Sequence, residues 1–267
     1  MDIAFWSSVR HQSGVTSGVA AISLLWAELF KDRITVTSNH ICNGGLLERL
    51  RGGTEHREKF AKREYCYNFG EPEYFRMLYE KEKGCMVQLN GGMRYISMTG
   101  NEEVQMFSGS GLKGVKKQLG IGEYLMIDAA CGYGNSSQKI LQEAELTVIA
   151  LPPEKNIVDA FFHSDTFLRQ KSFFILGNYR SEASCYPSYL CHKYKIPKER
   201  VGMIPYDSAF EQAMEEGSTA AYIGGNINCS RRNGAYHFIH YTKKTAINLR
   251  NYVMERRNHV CGDCEKV

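Results

Sequence analysis

The sequence has no long apolar run, only six prolines in 267 residues, and no strong excess of charge of one sign. No uninterrupted apolar stretch approaches the ~20 residues that a membrane-spanning helix needs. The first six residues lack the basic start and apolar middle of a secretion signal, so we expect a cytoplasmic protein. In that compartment the nine cysteines should be mostly reduced thiols. A formal charge of +4 is too mild by itself to indicate nucleic-acid binding.

The composition is that of a folded globular protein. Apolar residues make up 43% of the chain and charged residues 23%, which excludes global disorder. A chain of this length can bury the core of a full α/β domain. Because no repeat, low-complexity tract or linker interrupts it, we predict one domain over residues 1–258 and a short C-terminal tail at residues 259–267.

Short apolar runs alternate with amphipathic stretches along most of the chain. Strands are predicted at Asp2–Trp6, Arg33–Thr37, Arg94–Met98, Gly122–Asp128, Leu146–Leu151, Ser172–Leu176 and Val201–Ile204. Helices are predicted at Gly18–Phe30, Leu46–Arg51, Arg57–Lys83, Ser136–Ala144, Glu154–Arg169, Tyr186–Tyr194, Ser208–Glu216 and Lys243–Arg257. Each crossover between parallel strands must return across the sheet, so this alternation predicts an α/β fold. We expect three layers, with a predominantly parallel twisted sheet covered by helices on both faces.

The turn after the first strand carries groups that can bind phosphate. In parallel α/β sheets, ligands bind at the carboxyl ends of strands, where a tight turn leads into a helix. The turn offers a glycine, two hydroxyls and a cation, namely Gly14, Thr16, Ser17 and Arg10. Backbone N–H groups, a cation and a hydroxyl for Mg²⁺ are what a phosphate-binding turn needs. Val15, however, stands where a phosphate-binding lysine would normally be found.

Five motifs in this order resemble the deviant Walker A family of P-loop NTPases, which includes MinD, ParA and the pilus-assembly proteins CpaE and TadZ. The first turn resembles the family's lysine-first loop, with Arg10 at the signature lysine and Thr16 at the magnesium hydroxyl. Residues 125–132 look like the Walker B strand and its exit, and residues 146–159 look like the next strand and helix start. Two later segments, at 174–180 and 202–207, resemble the strands that end beside the adenine. The resemblance covers roughly residues 2–257.

The resemblance implies a site for ATP or ADP with Mg²⁺, built from the ends of several strands. Its residues would be Arg10, Ser13, Gly14, Thr16, Ser17, Asp128, Asn178, Pro205 and Asp207. Thr16 and Asp128 would hold the magnesium ion, which prefers oxygen ligands. In this family the signature cation reaches across a homodimer to the partner's nucleotide, so the resemblance implies that role for Arg10.

Departures from the family pattern predict a site that hydrolyses ATP poorly, with no catalytic residue assigned. Val15 supplies no charge for the terminal phosphates. Residues 38–40 replace an Asp-x-Asp motif, and a neutral His40 lacks the charge that orients the attacking water. His11 and Gln12 replace two glycines, so a positive φ becomes harder to reach in the loop.

The degenerate loop places the chain nearest the CpaE/TadZ branch of the family. That branch implies a localisation or assembly scaffold for a pilus or secretion machine, acting as a homodimer with protein partners. The expected location is the cytoplasm, at the inner face of the membrane or a cell pole.

Other interpretations of the same residues remain open. A slow ParA/MinD-type ATPase would use Arg10 and Asp128. An S-adenosylmethionine-dependent methyltransferase would use Asp128 and the turn at Gly132–Gly134, although Ala129 replaces the motif's first glycine. A site-free interpretation needs no ligand, since Thr16 would cap a helix, Arg10 would lie in solvent and Asp128 would simply end a strand.

The C-terminal region carries two weaker signals. Cys261 and Cys264 have zinc-like spacing, but one pair supplies too few ligands for a closed structural site, so we expect a frayed tail with reduced thiols. The predicted helix Lys243–Arg257 is amphipathic and suited to membrane contact. Its apolar stripe lacks Trp and Phe, which favours packing on the sheet instead. The aromatic residues at 65–79 are expected to make core contacts, and residues 109–114 a flexible loop.

Overall fold

The computed structural model describes residues 1–10, 12–39, 46–50, 86–88, 94–96, 123–169 and 171–264. Several predictions concern residues outside these ranges. They are the substitutions His11 and His40, the helix Arg57–Lys83, the aromatic stretch 65–79 and the glycine-rich segment 109–114.

Eight strands in the described ranges form one sheet. They are β1 (Asp2–Trp6), β2 (Ile34–Ser38), β3 (Met86–Gln88), β4 (Arg94–Ile96), β5 (Tyr124–Asp128), β6 (Leu146–Leu151), β7 (Ser172–Tyr179) and β8 (Val201–Pro205). Their order is β3-β4-β2-β5-β1-β6-β7-β8, and every neighbouring pair is parallel except β3 and β4. The predicted, predominantly parallel α/β sheet is therefore confirmed. Its central strand β1 lies between β5 and β6, which places the turn after β1 in the middle of one sheet edge.

Nine α-helices are described in the resolved ranges. They are α1 (Val15–Phe30), α2 (Leu46–Leu50), α3 (Asn135–Glu143), α4 (Lys155–Ser164), α5 (Thr166–Arg169), α6 (Pro187–Tyr194), α7 (Ser208–Glu216), α8 (Thr219–Asn226) and α9 (Tyr236–Cys264). None of these helices combines the length and the apolar character needed to cross a membrane.

Two apolar cores lie on opposite faces of the sheet, because successive side chains of a strand point to opposite faces. In β1, Ile3 and Phe5 belong to one core, while Ala4 and Trp6 belong to the other. Helices α1, α8 and α9 contribute buried residues to the first core, and α3, α4 and α6 contribute to the second. This arrangement confirms helices on both faces and gives the predicted three layers.

The last helix, α9, is joined closely to both α1 and β8. The Nε1 of Trp26 donates to the carbonyl oxygen of Ala246 at 2.8 Å. The hydroxyl of Thr245 accepts a hydrogen bond from the N–H of Met203 at 2.9 Å and donates to its carbonyl oxygen at 2.8 Å. Gly202 makes this approach possible, since a Cβ there would lie 2.3 Å from Cγ2 of Thr245. The expectation that the last helix packs on the sheet is therefore confirmed.

Some element bounds differ from the prediction for local reasons. The helix predicted over Glu154–Arg169 is broken at Asp165, where Ser164 Oγ donates to the carbonyl oxygen of Ala160 and competes with the helical hydrogen bonds. Helix α8 was not predicted. Helix α9 continues to Cys264, so the frayed tail expected from residue 259 is wrong up to that residue. No helix-breaking proline occurs between residue 206 and the end of the chain.

Three cysteines in the described ranges form no disulfide. Cys185, Cys191 and Cys229 are free thiols. Burial raises the pKa of the Cys185 thiol to about 11, so this group stays protonated at neutral pH. Within the described ranges, no three His, Cys, Asp or Glu side chains converge so that they could hold a metal ion.

Candidate nucleotide site

The turn after β1 leads directly into the N-terminus of α1. Gly14 is the N-cap and has a left-handed backbone, with φ 65° and ψ 31°. The first turn of α1 contains no acidic residue, and its N-cap glycine has no side chain that could cap it. The backbone N–H groups of this turn are therefore available to an anion, and the helix dipole favours negative charge there. Thr16 lies inside the helix and is not its cap, which contradicts one part of the site-free interpretation.

The turn is packed against the end of β7. A Cβ added to Gly177 would lie 2.0 Å from the carbonyl oxygen of Ser13, so only glycine fits at this contact. Ser13 itself is buried. The register of β7 and β8 shifts between Leu176 and Tyr179, which marks an irregular strand end at this point. The end of β7, which lies far along the chain, therefore limits how closely the turn can approach the sheet.

The substitution of glycine by Gln12 does not prevent a positive φ. Gln12 has φ 64°, so the loop adopts a left-handed conformation at this residue although it is not a glycine. This conformation costs a non-glycine residue roughly 1–2 kcal/mol. The Nδ2 of Asn178 donates to the carbonyl oxygen of Gln12 at 3.1 Å and stabilises the strained residue. Asn178 has φ 50°, so both partners occupy the left-handed region.

The remaining side chains of the turn differ in exposure. Arg10 is exposed, while Thr16 and Ser17 are half-buried at the start of α1. Val15 is only 5% exposed and belongs to the apolar core beside α1. The position that lacks the phosphate-binding lysine is thus used for core packing.

Asp128 lies at the carboxyl end of β5, between the ends of two neighbouring strands. It is in register with Phe5 of β1 and with Ser38 of β2, and it is 1% exposed. The N–H of Asn39 donates to the carbonyl oxygen of Asp128 at 3.3 Å. The structure therefore brings the predicted Asp128 to the same sheet edge as the turn after β1.

Asn39 is the middle residue of the segment 38–40, which stands in place of an Asp-x-Asp motif. Its Oδ1 accepts a hydrogen bond from the N–H of Ala130 at 2.7 Å. Its buried Nδ2 finds no acceptor among the residues that the structure describes. A phosphate or water oxygen would satisfy this donor. A carboxylate, a hydroxyl and an amide at one edge are a donor set that suits Mg²⁺ and phosphate, so the residues present fit these groups.

The exit from β5 is bonded to the exit from β1. Gly132 has φ 84°, its N–H donates to the carbonyl oxygen of Ser7 at 2.8 Å, and its carbonyl oxygen accepts from Nε1 of Trp6 at 2.9 Å. Tyr133 packs edge-on against Trp6, with ring centres 5.3 Å apart. The glycine that the methyltransferase interpretation needs for a cofactor is therefore used to close the turn between β1 and β5.

On the other side of the turn, Asp207 is occupied by structural hydrogen bonds. Its Oδ1 accepts from the N–H of Phe210 at 2.8 Å, which caps α7, and from the hydroxyl of Tyr222 at 3.0 Å. Burial, followed by the hydrogen bond to Asp207, raises the pKa of Tyr222 well above its ordinary value. Pro205 is in register with Tyr179 across β7 and β8. The sequence contained the signal for this cap, because aspartate three residues before a buried phenylalanine is a common helix start.

One further contact at this end was not predicted. The guanidinium of Arg180 lies 3.8 Å from the centre of the Tyr206 ring and forms a cation–aromatic pair beside the ends of β7 and β8. Both residues fall inside or next to the segments that resemble adenine-binding strands. Only the fold shows that they contact each other.

The comparisons with known proteins agree with this architecture. No family model matches the chain, and no curated protein matches it in sequence. Among solved structures, the MinD protein of Pyrococcus horikoshii in complex with Mg-ADP matches with a TM-score of 0.66 and 15% identity, over 96% of this chain and 99% of that chain. The MinC:MinD complex of Aquifex aeolicus matches with a TM-score of 0.62 and 15% identity, over 94% and 96%.

A ParA family ATPase from Chlorobium tepidum also matches, with a TM-score of 0.60 and 11% identity, over 93% of this chain and 98% of that one. The fold of this chain is therefore that of the MinD/ParA P-loop ATPases. These matches span nearly the whole chain, whereas the methyltransferase interpretation leaves residues 2–30 without a role.

Proposed function

We propose that this protein binds ATP or ADP with Mg²⁺ at the turn after β1 and acts as a scaffold that hydrolyses ATP poorly. The observation that carries the proposal is the uncapped N-terminus of α1 at Gly14, at the same sheet edge as the buried Asp128. A similar fold, the MinD protein of Pyrococcus horikoshii, was solved with Mg-ADP, which supports this choice of ligand.

In this proposal the first turn of α1 binds the phosphates through its N–H groups. Thr16 and Asp128 hold Mg²⁺, with Ser13 and Ser17 beside them. Magnesium neutralises phosphate charge in such sites. Arg10, which is exposed, extends toward the nucleotide of a second copy in a homodimer.

The base lies at the ends of β7 and β8, beside Asn178, Pro205 and Asp207. The amide of Asn178 donates to the loop, so contact with a base exchanges or shares that hydrogen bond. Asp207 borders this region while it caps α7.

Poor hydrolysis follows from charges that the site does not supply. Val15 is packed in the core, and residues 38–40 carry no carboxylate where the family has its Asp-x-Asp motif. A protein that binds nucleotide without rapid turnover holds one conformation for a long time, which suits a localisation or assembly scaffold of the CpaE/TadZ kind. The structure of MinC with MinD shows a similar fold assembled with a protein partner. We place this scaffold in the cytoplasm, at the inner membrane face or a cell pole, in a pilus or secretion assembly.

Calorimetry with ATP, ADP and S-adenosylmethionine, each with and without Mg²⁺, tests the proposal. We expect ATP and ADP to bind more tightly with Mg²⁺, and S-adenosylmethionine not to bind. Binding of S-adenosylmethionine alone would overturn the proposal in favour of a methyltransferase. Turnover that is slow but abolished by Asp128→Asn would favour a slow ATPase, and rapid turnover would refute the scaffold.

The role of Arg10 has a separate test. Arg10→Ala should weaken ATP-dependent dimerisation in sedimentation experiments, because the exposed guanidinium would contact the second copy. Lys171→Ala, which removes another exposed cation far along the chain, is the matched control and should dimerise normally. Unchanged dimerisation and unchanged ATP affinity in Arg10→Ala would show that Arg10 has no part in the site.

A further inference from the structure

A groove of about 280 Å³ lies between α6, β8 and α9, away from the turn after β1. Its floor and walls are mainly apolar, with Val201 and Met203 from β8, Pro187 and Cys191 from α6, and Tyr241 from α9. Val201 is 6% exposed, and Met203 is half-buried. The groove is thus a site where apolar side chains of another molecule would be removed from water.

Two lysines border this apolar floor. Three exposed side chains line the groove, namely Lys198, Lys244 and His192. Lys198 comes from the 3-10 turn before β8, and Lys244 comes from α9, so the two ammonium groups stand on different walls. None of the described residues that line the groove is acidic. Glu199 is near Cys191, but it is exposed and outside the lining.

The sequence around the α9 wall has a matching bias. From residue 217 to residue 254 the chain contains no Asp or Glu, while it contains Arg231, Arg232, Lys243, Lys244 and Arg250. Arg250 is already paired with Asp32. The others lie at the turn before α9 or on its N-terminal half, so the cationic character extends beyond the groove along one helix.

We propose that this groove docks a short acidic segment of a partner protein. Apolar side chains of the segment enter between Val201 and Tyr241, and its carboxylates pair with Lys198 and Lys244. Charge complementarity selects acidic residues, and the apolar floor selects a peptide over a nucleic acid, whose phosphates would reach the lysines but leave the floor uncovered. This proposal does not depend on nucleotide binding.

The direct test uses the full chain with 13C-labelled methionine methyl groups. The probe is a synthetic amphipathic peptide with leucine at every third or fourth position and glutamate between them. We expect it to shift the methyl signal of Met203, which Met203→Leu identifies. We also expect Lys198→Glu and Lys244→Glu each to weaken binding roughly tenfold, because a charge pair is replaced by a repulsion.

Two sets of controls keep the result specific. Lys171→Glu makes the same charge change on an exposed residue outside the groove and should leave the affinity unchanged. Peptides with glutamine in place of glutamate, or serine in place of leucine, should bind much more weakly. Because Lys198 and Lys244 are exposed, their variants should keep the wild-type circular dichroism.

Several results would overturn the proposal. The proposal is wrong if the Met203 methyl signal does not shift at peptide concentrations up to the millimolar range. It is also wrong if Lys244→Glu leaves the affinity for the peptide unchanged. A stronger Met203 shift with single-stranded oligothymidylate or with phosphatidylglycerol vesicles would identify a nucleic acid or a membrane instead. Self-association that Lys244→Glu abolishes would identify a second copy as the occupant.

Discussion

Replacing Gly177 with alanine tests how β7 supports the turn after β1. The new Cβ would lie 2.0 Å from the carbonyl oxygen of Ser13 and 2.9 Å from its carbonyl carbon. Both are backbone atoms that no side-chain rotation can move, so either β7 or the turn must shift. Overpacking of this kind costs about 1–3 kcal/mol, and the backbone contact places our expectation in the upper half of that range. The melting temperature should fall by about 2–4 °C for each kcal/mol.

Urea denaturation followed by circular dichroism measures this cost. The matched control is Gly234→Ala, because Gly234 is exposed and a Cβ there meets nothing within 4 Å. We expect that control to stay within about 0.5 kcal/mol of the wild type. Gly177→Ala should also lose ADP affinity, since the turn that would bind phosphate is displaced. Wild-type stability in Gly177→Ala would refute the packing described between β7 and the turn.

Three further predictions concern charge and hydrogen bonding elsewhere. Arg250→Met should cost about 2–3 kcal/mol in urea denaturation, because buried Asp32 loses a bidentate partner, and adding Asp32→Asn should restore part of this. Thr245→Val should cost about 1–2 kcal/mol by the same assay, since both hydrogen bonds to Met203 are lost, whereas Thr245→Ser should retain them. Hydrogen bonds from a lysine, and then from two tyrosines, lower the pKa of Asp159 from 3.8 to about 2. Its stabilisation is therefore present above the ordinary value and lost as the pH falls toward 2, and acid titration of Asp159→Asn should lack this component.

The sequence predicted the sheet well because its strands are continuous apolar runs. The bounds of Asp2–Trp6 and Leu146–Leu151 agree with the prediction to the residue, and both are buried along their whole length. Such runs have few alternatives once helices alternate with them. Helix α8 was missed because Gly224 and Gly225 lower its helix propensity, and packing of Ile223 into the core stabilises it instead.

The candidate site was predictable in its position and less so in its contacts. Strand ends in a parallel sheet meet at one edge, so the turn and Asp128 could be placed together from their order in the chain. The hydrogen bond from Asn178 to Gln12 joins residues 166 positions apart, and no local pattern encodes it. The same holds for the packing of Val15 into the core, which explains why that position lacks a lysine.

The hydroxyl of Thr245 has a consequence beyond the stability of one helix. Among the described strands, β8 is an edge strand of the sheet. An edge strand can pair with a strand of another molecule through its unsatisfied backbone groups. At Met203 a threonine of the same chain already satisfies both groups. Growth of the sheet by strand addition is thereby blocked at the middle of β8. The two hydrogen bonds of Thr245 thus protect the molecule against edge-to-edge aggregation, while the apolar groove beside β8 stays open.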